Sequence, residues 1–364
     1  MKVHQITQAL EEFAPLALQE SYDNAGMQIG DPNADISSVL LCLDVTEEVI
    51  DEAISRNCGL IISHHPLIFK GLKSITGSNY IERCIIKACK NDIAIYSAHT
   101  NVDNVAAGVN FKIADKIGLT DVKILSEQSN MLLKLVTFTP ISHLDIVHKA
   151  LWEAGAGHIG KYDACSYNSS GYGTFRPGEN TNPFCGNIGE IHSEEEIRIE
   201  MILPAFRKNA VLKALLTSHP YEEPAYDFYR PENLWSQAGA GIIGNLPDPI
   251  TGTDFLQTIK EKFSIPCIKH SPIPDKKVTR VAVCGGSGAF LLSEALKQKA
   301  DVFLTGEIKY HDFFGLDTHL FIAEIGHYES EQFTKEIFYD IITKKFPTFA
   351  AHFSEVNTNP VKYF

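Results

Sequence analysis

Leu60-Ile-Ile-Ser-His-His-Pro66 decides the reading of this chain. An apolar run of strand length ends on two adjacent imidazoles, and the proline after them blocks regular continuation. The same grammar recurs outward. Val39-Leu-Leu-Cys-Leu-Asp-Val45 reads as a buried strand, residues 46–56 as a helix capped by Thr46, residues 79–90 as a second helix and residues 93–97 as a third strand. Strand, helix and strand at this spacing predict a mostly parallel sheet covered by helices. The far end repeats the order. Residues 280–283 and 301–304 read as strands around a helix over 289–299, and residues 320–323 as a strand before a helix over 330–345. Leu60-Ile-Ile-Ser-His64 aligns with Val302-Phe-Leu-Thr-Gly306, and Tyr96-Ser-Ala-His99 aligns with Glu324-Ile-Gly-His327 within a residue. This is the pattern of an internal duplication, with a period far too long for a solenoid.

Composition bounds the rest. The chain has 364 residues, 44% hydrophobic and 21% charged. At about 150 residues per domain that predicts two or three domains and rules out disorder and collagen. No apolar run, residues 58–67 included, reaches the roughly 20 residues of a membrane span. The opening Met1-Lys-Val-His-Gln-Ile-Thr7 lacks the apolar segment of a secretory signal. With 45 acidic and 32 basic residues the net charge is −13. Such a field repels nucleic-acid backbones and anionic membranes, although a metal-lined site still accepts a small anion. The eight cysteines form no Cys-x-x-Cys pair; they read as reduced thiols of a cytoplasmic protein.

The middle of the chain behaves differently. A strand over 132–138, a helix over 144–154, two strand-like stretches, a helix over 206–216 and a strand over 226–229 give the order βαββαβ. Ser142 and Asp145 have capping-box spacing before the first of these helices. Ile197, Ile199 and Met201 alternate with Arg198 and Glu200, as in a half-buried strand. Residues 169–178 and 247–252 read as loops. The expected fold class is therefore α/β: a duplicated three-layer α/β domain, residues 1–128 and 236–364, carrying an inserted ferredoxin-like α+β domain at residues 129–235.

Three clusters stand at strand ends, where ligands gather in open α/β sheets. They are Ser63-His64-His65-Pro66, His99-Thr-Asn-Val-Asp103-Asn104 and His327-Tyr-Glu-Ser-Glu331. Positions i and i+4 share a helix face, so His327 and Glu331 can converge, and Glu331 can bridge two ions through its two oxygens. Alone, the first cluster reads equally well as a polar strand end, and each His-x3-carboxylate pair reads more readily as a surface histidine with a helix-start charge. Three at equivalent places in a duplicated sheet point to a metal site. Mixed imidazole and carboxylate donors suit Zn, Fe, Mn, Co or Ni better than Mg or Ca. About five ligands are too many for one catalytic ion with open positions, and suit two bridged ions.

Other motifs carry less. Gly155-Ala-Gly157-His-Ile-Gly160 and Gly239-Ala-Gly241-Ile-Ile-Gly244 match the dinucleotide fingerprint in letters, but neither is expected between a strand and a helix. Cys284-Gly-Gly-Ser287-Gly-Ala289 is expected there, as a tight turn or as a phosphate contact through backbone N–H groups. Thr305-Gly-Glu307-Ile-Lys309-Tyr-His311 occupies the strand end equivalent to His64 and His65, which makes Glu307 and His311 candidates for supporting a ligand. His219-Pro-Tyr-Glu-Glu223-Pro reads as a rigid loop. His4, His143, His148, His158, His192, His270, His319 and His352 belong to no cluster and default to structural or surface roles.

With these motifs the chain resembles the Nif-three-like family, whose members are labelled GTP cyclohydrolase 1 type 2 homologues. The matching stretches are Tyr22-Asp-Asn-Ala-Gly26 with Gly30, Ser63-His-His-Pro66, Ala98-His-Thr-Asn-Val-Asp103, Thr305-Gly-Glu-Ile-Lys-Tyr-His311, and Gly326-His327 with Glu331. The middle resembles the PII/CutA-like insertion of longer members. The resemblance implies two divalent ions per subunit, Zn or Fe first and Mn, Co or Ni as alternatives, on His64, His65, Asp103, His327 and a bridging Glu331. It pairs His64 with His327 on one ion and His65 with Asp103 on the other, and leaves His99 in a supporting place. Many members carry a second histidine after Gly-His, where Tyr328 stands here. It also implies a toroidal homohexamer.

Two functions follow. One is a metal-dependent hydrolase of cyclohydrolase or phosphoesterase type, acting on a nucleotide or related small molecule, with His99, Glu307 or His311 moving protons. The other is a non-enzymatic metal-binding regulatory or interaction protein whose insertion senses a small molecule. No arginine cluster in the sequence marks a phosphate site.

Overall fold

The computed structural model describes residues 1–314 and 320–364; His319 lies outside the described residues. The described chain divides into two compact units, residues 1–126 with 238–364, and residues 127–237.

The larger unit is built on two sheets. One has the spatial order Gly26–Ile29, Ala94–Ser97, Leu60–Ser63, Ser38–Cys42, Ala350–Phe353. Its last four strands are parallel and the first is an antiparallel edge. The other has the order Lys269–His270, Phe321–Glu324, Val302–Glu307, Val278–Ser287, Trp235–Ile250, Thr120–Gln128. Here too an antiparallel edge strand precedes three parallel strands, and Trp235–Ile250 pairs antiparallel on the far side. The strands aligned by sequence, at 60–64 with 302–306 and at 96–99 with 324–327, hold equivalent places in the two sheets.

Both sheets are buried on both faces, which is why their strands read as continuous apolar runs. Side chains alternate with period two. Val39, Leu41, Leu60, Ile62 and Tyr96 face one core, while Leu40, Cys42, Ile61 and Ile95 face another under the helices Glu47–Ser55 and Tyr80–Lys90. In the second sheet Val281, Val283, Val302 and Leu304 face the first core, and Ala282, Phe303 and Ile322 face a third. The first core also holds Ile6 and Leu10, Ile113, Phe255, Ile259 and Phe338, from helices Val3–Phe13, Val109–Ile117, Gly252–Phe263 and Thr334–Lys345. A single helical layer therefore serves both sheets of the duplicated domain.

The cap at Thr46 forms as expected, accepting from Val49 N, and Asn79, expected as the first helical residue, instead caps its helix by accepting from Glu82 N. The helix expected over 330–345 is broken. His327–Glu331 is one short helix and Thr334–Lys345 another, because Glu331 turns to the site while Ile337 and Phe338 turn to the core. The helix expected over 289–299 begins as a 3-10 turn at Ala289–Leu291 and is helical over Leu292–Lys297.

The smaller unit runs Leu132–Pro140, Leu144–Glu153, Tyr167–Phe175, His192–Pro204, Lys208–Ser218, Tyr226–Tyr229. Its sheet is antiparallel throughout, in the spatial order second, third, first, fourth strand. Leu133, Leu135, Ile197, Ile199, Met201 and Leu203 pack on Val147, Leu151, Val211 and Leu215 of the two helices. Residues 169–175, expected as loop, belong to an edge strand paired along the third strand. Its Ser-Gly-Tyr-Gly composition carries no apolar face because the strand is exposed. Residues 247–250, also expected as loop, extend the Trp235–Ile250 strand beyond an irregularity after Asn245. The capping box at Ser142 does not form; His143 takes the cap position and Ser142 bonds its ring at 3.0 Å.

Candidate metal centre

The carboxyl ends of the parallel strands supply the site. His64 and His65 follow Leu60–Ser63, His99 follows Ala94–Ser97, and Asp103 rides on the short helix Thr100–Asn104. Buried asparagines hold that helix, Asn101 donating to the Ala14 carbonyl at 2.7 Å and Asn104 to the Leu18 carbonyl at 2.9 Å. From the second sheet come Glu307, ending Val302–Glu307, and the helix His327–Glu331.

Glu331 is 3% exposed and lies between the groups. Its Oε1 faces His64 Nε2 at 3.7 Å, and the same nitrogen lies 3.7 Å from Asp103 Oδ1. Its Oε2 faces His65 Nε2 at 3.0 Å and His327 Nε2 at 3.3 Å. The donor atoms fall into overlapping groups: His64 with Asp103 and Glu331, His65 with His327 and Glu331, and His64 with His65 and His99. These distances set His64 beside Asp103 and His65 beside His327, a different sorting from the one the family resemblance implied. His64 and His65 leave the strand end toward different partners, so the first turns to Asp103 and the second crosses to His327.

Every imidazole is anchored through Nδ1. His64 is held by the Ala98 carbonyl at 2.9 Å, His65 by Asp44 at 2.7 Å, His99 by Asp23 at 2.7 Å and His327 by Glu307 at 3.2 Å. Such outer partners fix the tautomer that leaves Nε2 as a ligand. Asp44 and Asp23 were not singled out as supports by sequence. Asp44 sits two residues past the end of a parallel strand, the position that marked the other clusters. Asp23 lay within a quoted motif without a role. His311 is exposed and packs beside the rings of Tyr310 and Phe314; the described contacts do not bring it to the cluster.

A metal fits these residues on two observations. Among the described residues His64 Nε2 is buried without a hydrogen-bond partner, a costly state unless something electrophilic meets it. The charges also call for cations. Burial pushes the His64 pKa down, so the ring is neutral as a ligand must be. Burial opposes charge on His65, yet Asp44 and Glu331 raise its pKa to about 10. The Glu331 hydrogen bond lifts His327 to about 9 against the cost of burial. Burial and the neighbouring Glu331 push Asp103 well above the ordinary carboxylate range, while the imidazoles hold Glu331 well below it despite burial. Protons on imidazole occupy the role that divalent ions would fill. Burial raises the pKa of Cys284 and keeps it a neutral thiol, in keeping with a donor set free of thiolate.

The Cys284-Gly-Gly-Ser turn is packed on this cluster. Gly286 has φ +60°, and a Cβ there would lie 2.4 Å from Glu331 Oε1. The N–H groups of Gly285, Gly286 and Gly288 donate to Asn110, Ser330 and Thr305. These donors are used within the protein, so the turn reading holds over the phosphate reading. Neither glycine hexapeptide lies between a strand and a helix. The 219–224 loop is structural, His219 bonding the Phe138 carbonyl at 2.7 Å.

Comparison with known proteins gives a consistent picture. The chain is 44% identical over 307 residues to a GTP cyclohydrolase 1 type 2 homolog of Halalkalibacterium halodurans, covering 84% of this chain and 82% of the relative. It is 37% identical over 365 residues to the protein of that name in Bacillus subtilis, covering 99% and 98%. Among solved structures, the Bacillus cereus protein related to NIF3 superposes with TM-score 0.88 and 38% identity, over 100% of this chain and 99% of that one. The family model described as Duf34/NIF3 (NGG1p interacting factor 3) matches residues 1–360, and the chain belongs to that family.

Proposed function

We propose that the chain binds two divalent ions, one on His64, Asp103 and Glu331 and the other on His65, His327 and Glu331, and that it is a metal-dependent hydrolase of a nucleotide or related small molecule. The observation that carries this reading is Glu331, a buried carboxylate whose two oxygens face two different donor groups. Ions there would supply Lewis acidity and a water activated near neutral pH; zinc or iron suits the donors first, with manganese, cobalt or nickel as alternatives. Around them Asp23 holds His99 Nδ1, and among the described residues no hydrogen bond engages Nε2, which suits it to pass a proton. Burial works against ionisation of Asp23, but bonds from His99 and Thr100 hold its pKa at about 2, so it remains the charged anchor. Glu307 holds His327 in the same way.

One observation favours the second reading, a metal-binding regulatory protein. The cavity beside His65 and His327 is lined by Asp44, Glu307, Glu324 and Glu329. Its lining lysine, Lys269, is already paired with Glu324 at 2.7 Å. Such walls repel a polyphosphate. We further assign the two sheets to an internal duplication and the smaller unit to the ferredoxin-like, PII/CutA-like class. The same reading makes the protein a cytoplasmic toroidal homohexamer; among the described residues no helix is long and apolar enough to cross a membrane. The test is turnover by metal-analysed protein against a panel of nucleotides and phosphoesters. Activity abolished by His65→Ala supports the hydrolase; metal-replete protein inert on every member supports the regulatory reading.

A further inference from the structure

The smaller unit carries its own donor cluster. Cys185, His192 and Glu194 place a sulfur, a ring nitrogen and a carboxylate oxygen within 4.8 Å of one another. His192 and Glu194 stand two apart on the His192–Pro204 strand and so share a face; His192 Nε2 lies 2.7 Å from Glu194 Oε2. Cys185 comes from the loop that folds back on this strand. Gly189 N donating to the Pro177 carbonyl at 2.8 Å ties that loop. Gly186 makes the approach possible: at φ +81° its backbone lies against the His192 ring, and a Cβ would sit 2.9 Å from His192 Cβ.

The surroundings are anionic. Tyr221 donates to Glu196 at 2.7 Å, and Glu196 is 8% exposed. Among the described residues neither Glu194 nor Glu196 pairs with lysine or arginine. Phe175, whose ring packs against His192, and Phe184, the residue before Cys185, also line a cavity of about 630 Å³ with Phe138, Glu196, Arg198 and Tyr221.

We propose that Cys185, His192 and Glu194 form a mononuclear site for a borderline-soft divalent cation of the zinc class, separate from the dinuclear centre. One thiolate, one imidazole and one carboxylate match the donor preferences of zinc, whose bonds of about 2.0–2.3 Å require donors roughly 3.5 Å apart. The cluster reaches that spacing through side-chain rotation, because all three residues are partly exposed. Three protein ligands leave a fourth position open for water or a small ligand. Binding displaces the thiol proton, and the cation neutralises Glu194.

The test uses the full-length chain loaded with Co²⁺, whose thiolate complexes absorb in the near ultraviolet while imidazole–carboxylate complexes do not. The wild type is expected to show a thiolate-to-cobalt band and to bind one ion more per chain than Cys185→Ser. His192→Ala is expected to weaken the Co²⁺ titration of that band by at least about tenfold. Glu331→Gln, which disables the dinuclear centre, should leave the band in place, so failure of one site is read apart from failure of the other. Thermal melts of both insertion variants establish that they are folded. Absence of the band in the wild type, or its persistence at full strength in Cys185→Ser, overturns the proposal.

Discussion

Replacing Asp44 by Asn tests the two-group arrangement without touching a ligand. Asp44 Oδ1 accepts from His65 Nδ1 at 2.7 Å, and Oδ2 accepts from Thr358 at 2.6 Å. Asparagine keeps the size and can still accept one bond, but the charge that makes His65 a stronger donor is lost. Outer partners of this kind carry about 10–100-fold in metal affinity, or roughly 1.4–2.7 kcal/mol. The loss should fall on one ion. His64 is anchored by a backbone carbonyl, which the substitution leaves untouched. Competition against a chromophoric chelator resolves two dissociation constants. One is expected to rise about 10–100-fold, and the other to stay within about threefold. Equal weakening of both ions, or no weakening of either, would refute the assignment of His65 and His64 to different groups.

Further expectations follow the same geometry. Glu331→Gln should lower occupancy of both ions, and His327→Ala mainly that of the ion shared with His65; metal analysis after gel filtration reads both, and a single-ion loss in Glu331→Gln contradicts bridging. Replacing residues 129–235 by a short Gly/Ser linker should retain metal, since Thr120–Gln128 and Trp235–Ile250 are neighbouring strands whose ends a turn can join. Loss of both ions from that folded variant would overturn the modular reading. Glu82 accepts bonds from Thr76, Ser78 and Asn79, led by the Thr76 backbone N–H, and they hold its pKa at about 2. A depressed carboxylate stabilises the fold above its ordinary pKa near 4.5 and loses that effect as pH falls toward 2. The Tm deficit of Glu82→Gln should therefore be full at pH 7 and shrink at pH 3; the same deficit at both would contradict the clamp.

The strands that carry the site were legible because both sheets are buried on two faces and their strands spell continuous apolar runs. His327 and Glu331 were legible as an i, i+4 pair because the short helix holding them has regular geometry. The pairing of His64 and His65 was not. Adjacent residues after a strand end can leave in either direction, and the choice is made by Ala98 and Asp44, which are distant in sequence. Within the expected βαββαβ order, most of the edge strand Tyr167–Phe175 read as loop for a related reason. An exposed strand needs only a partner's ladder, and no alternation of apolar residues announces it. His192 read as an isolated surface residue because Cys185 reaches it through a loop.

The single helical layer between the two sheets limits how this molecule can work. Glu331 reaches His64 and His65 across parts that share one close-packed interior. Opening a hinge between the sheets would expose that interior and pull the bridging carboxylate from its partners. Substrate capture by jaw-like closure of the two halves is therefore closed to this architecture. Any gate over this cluster must therefore move without parting the two sheets.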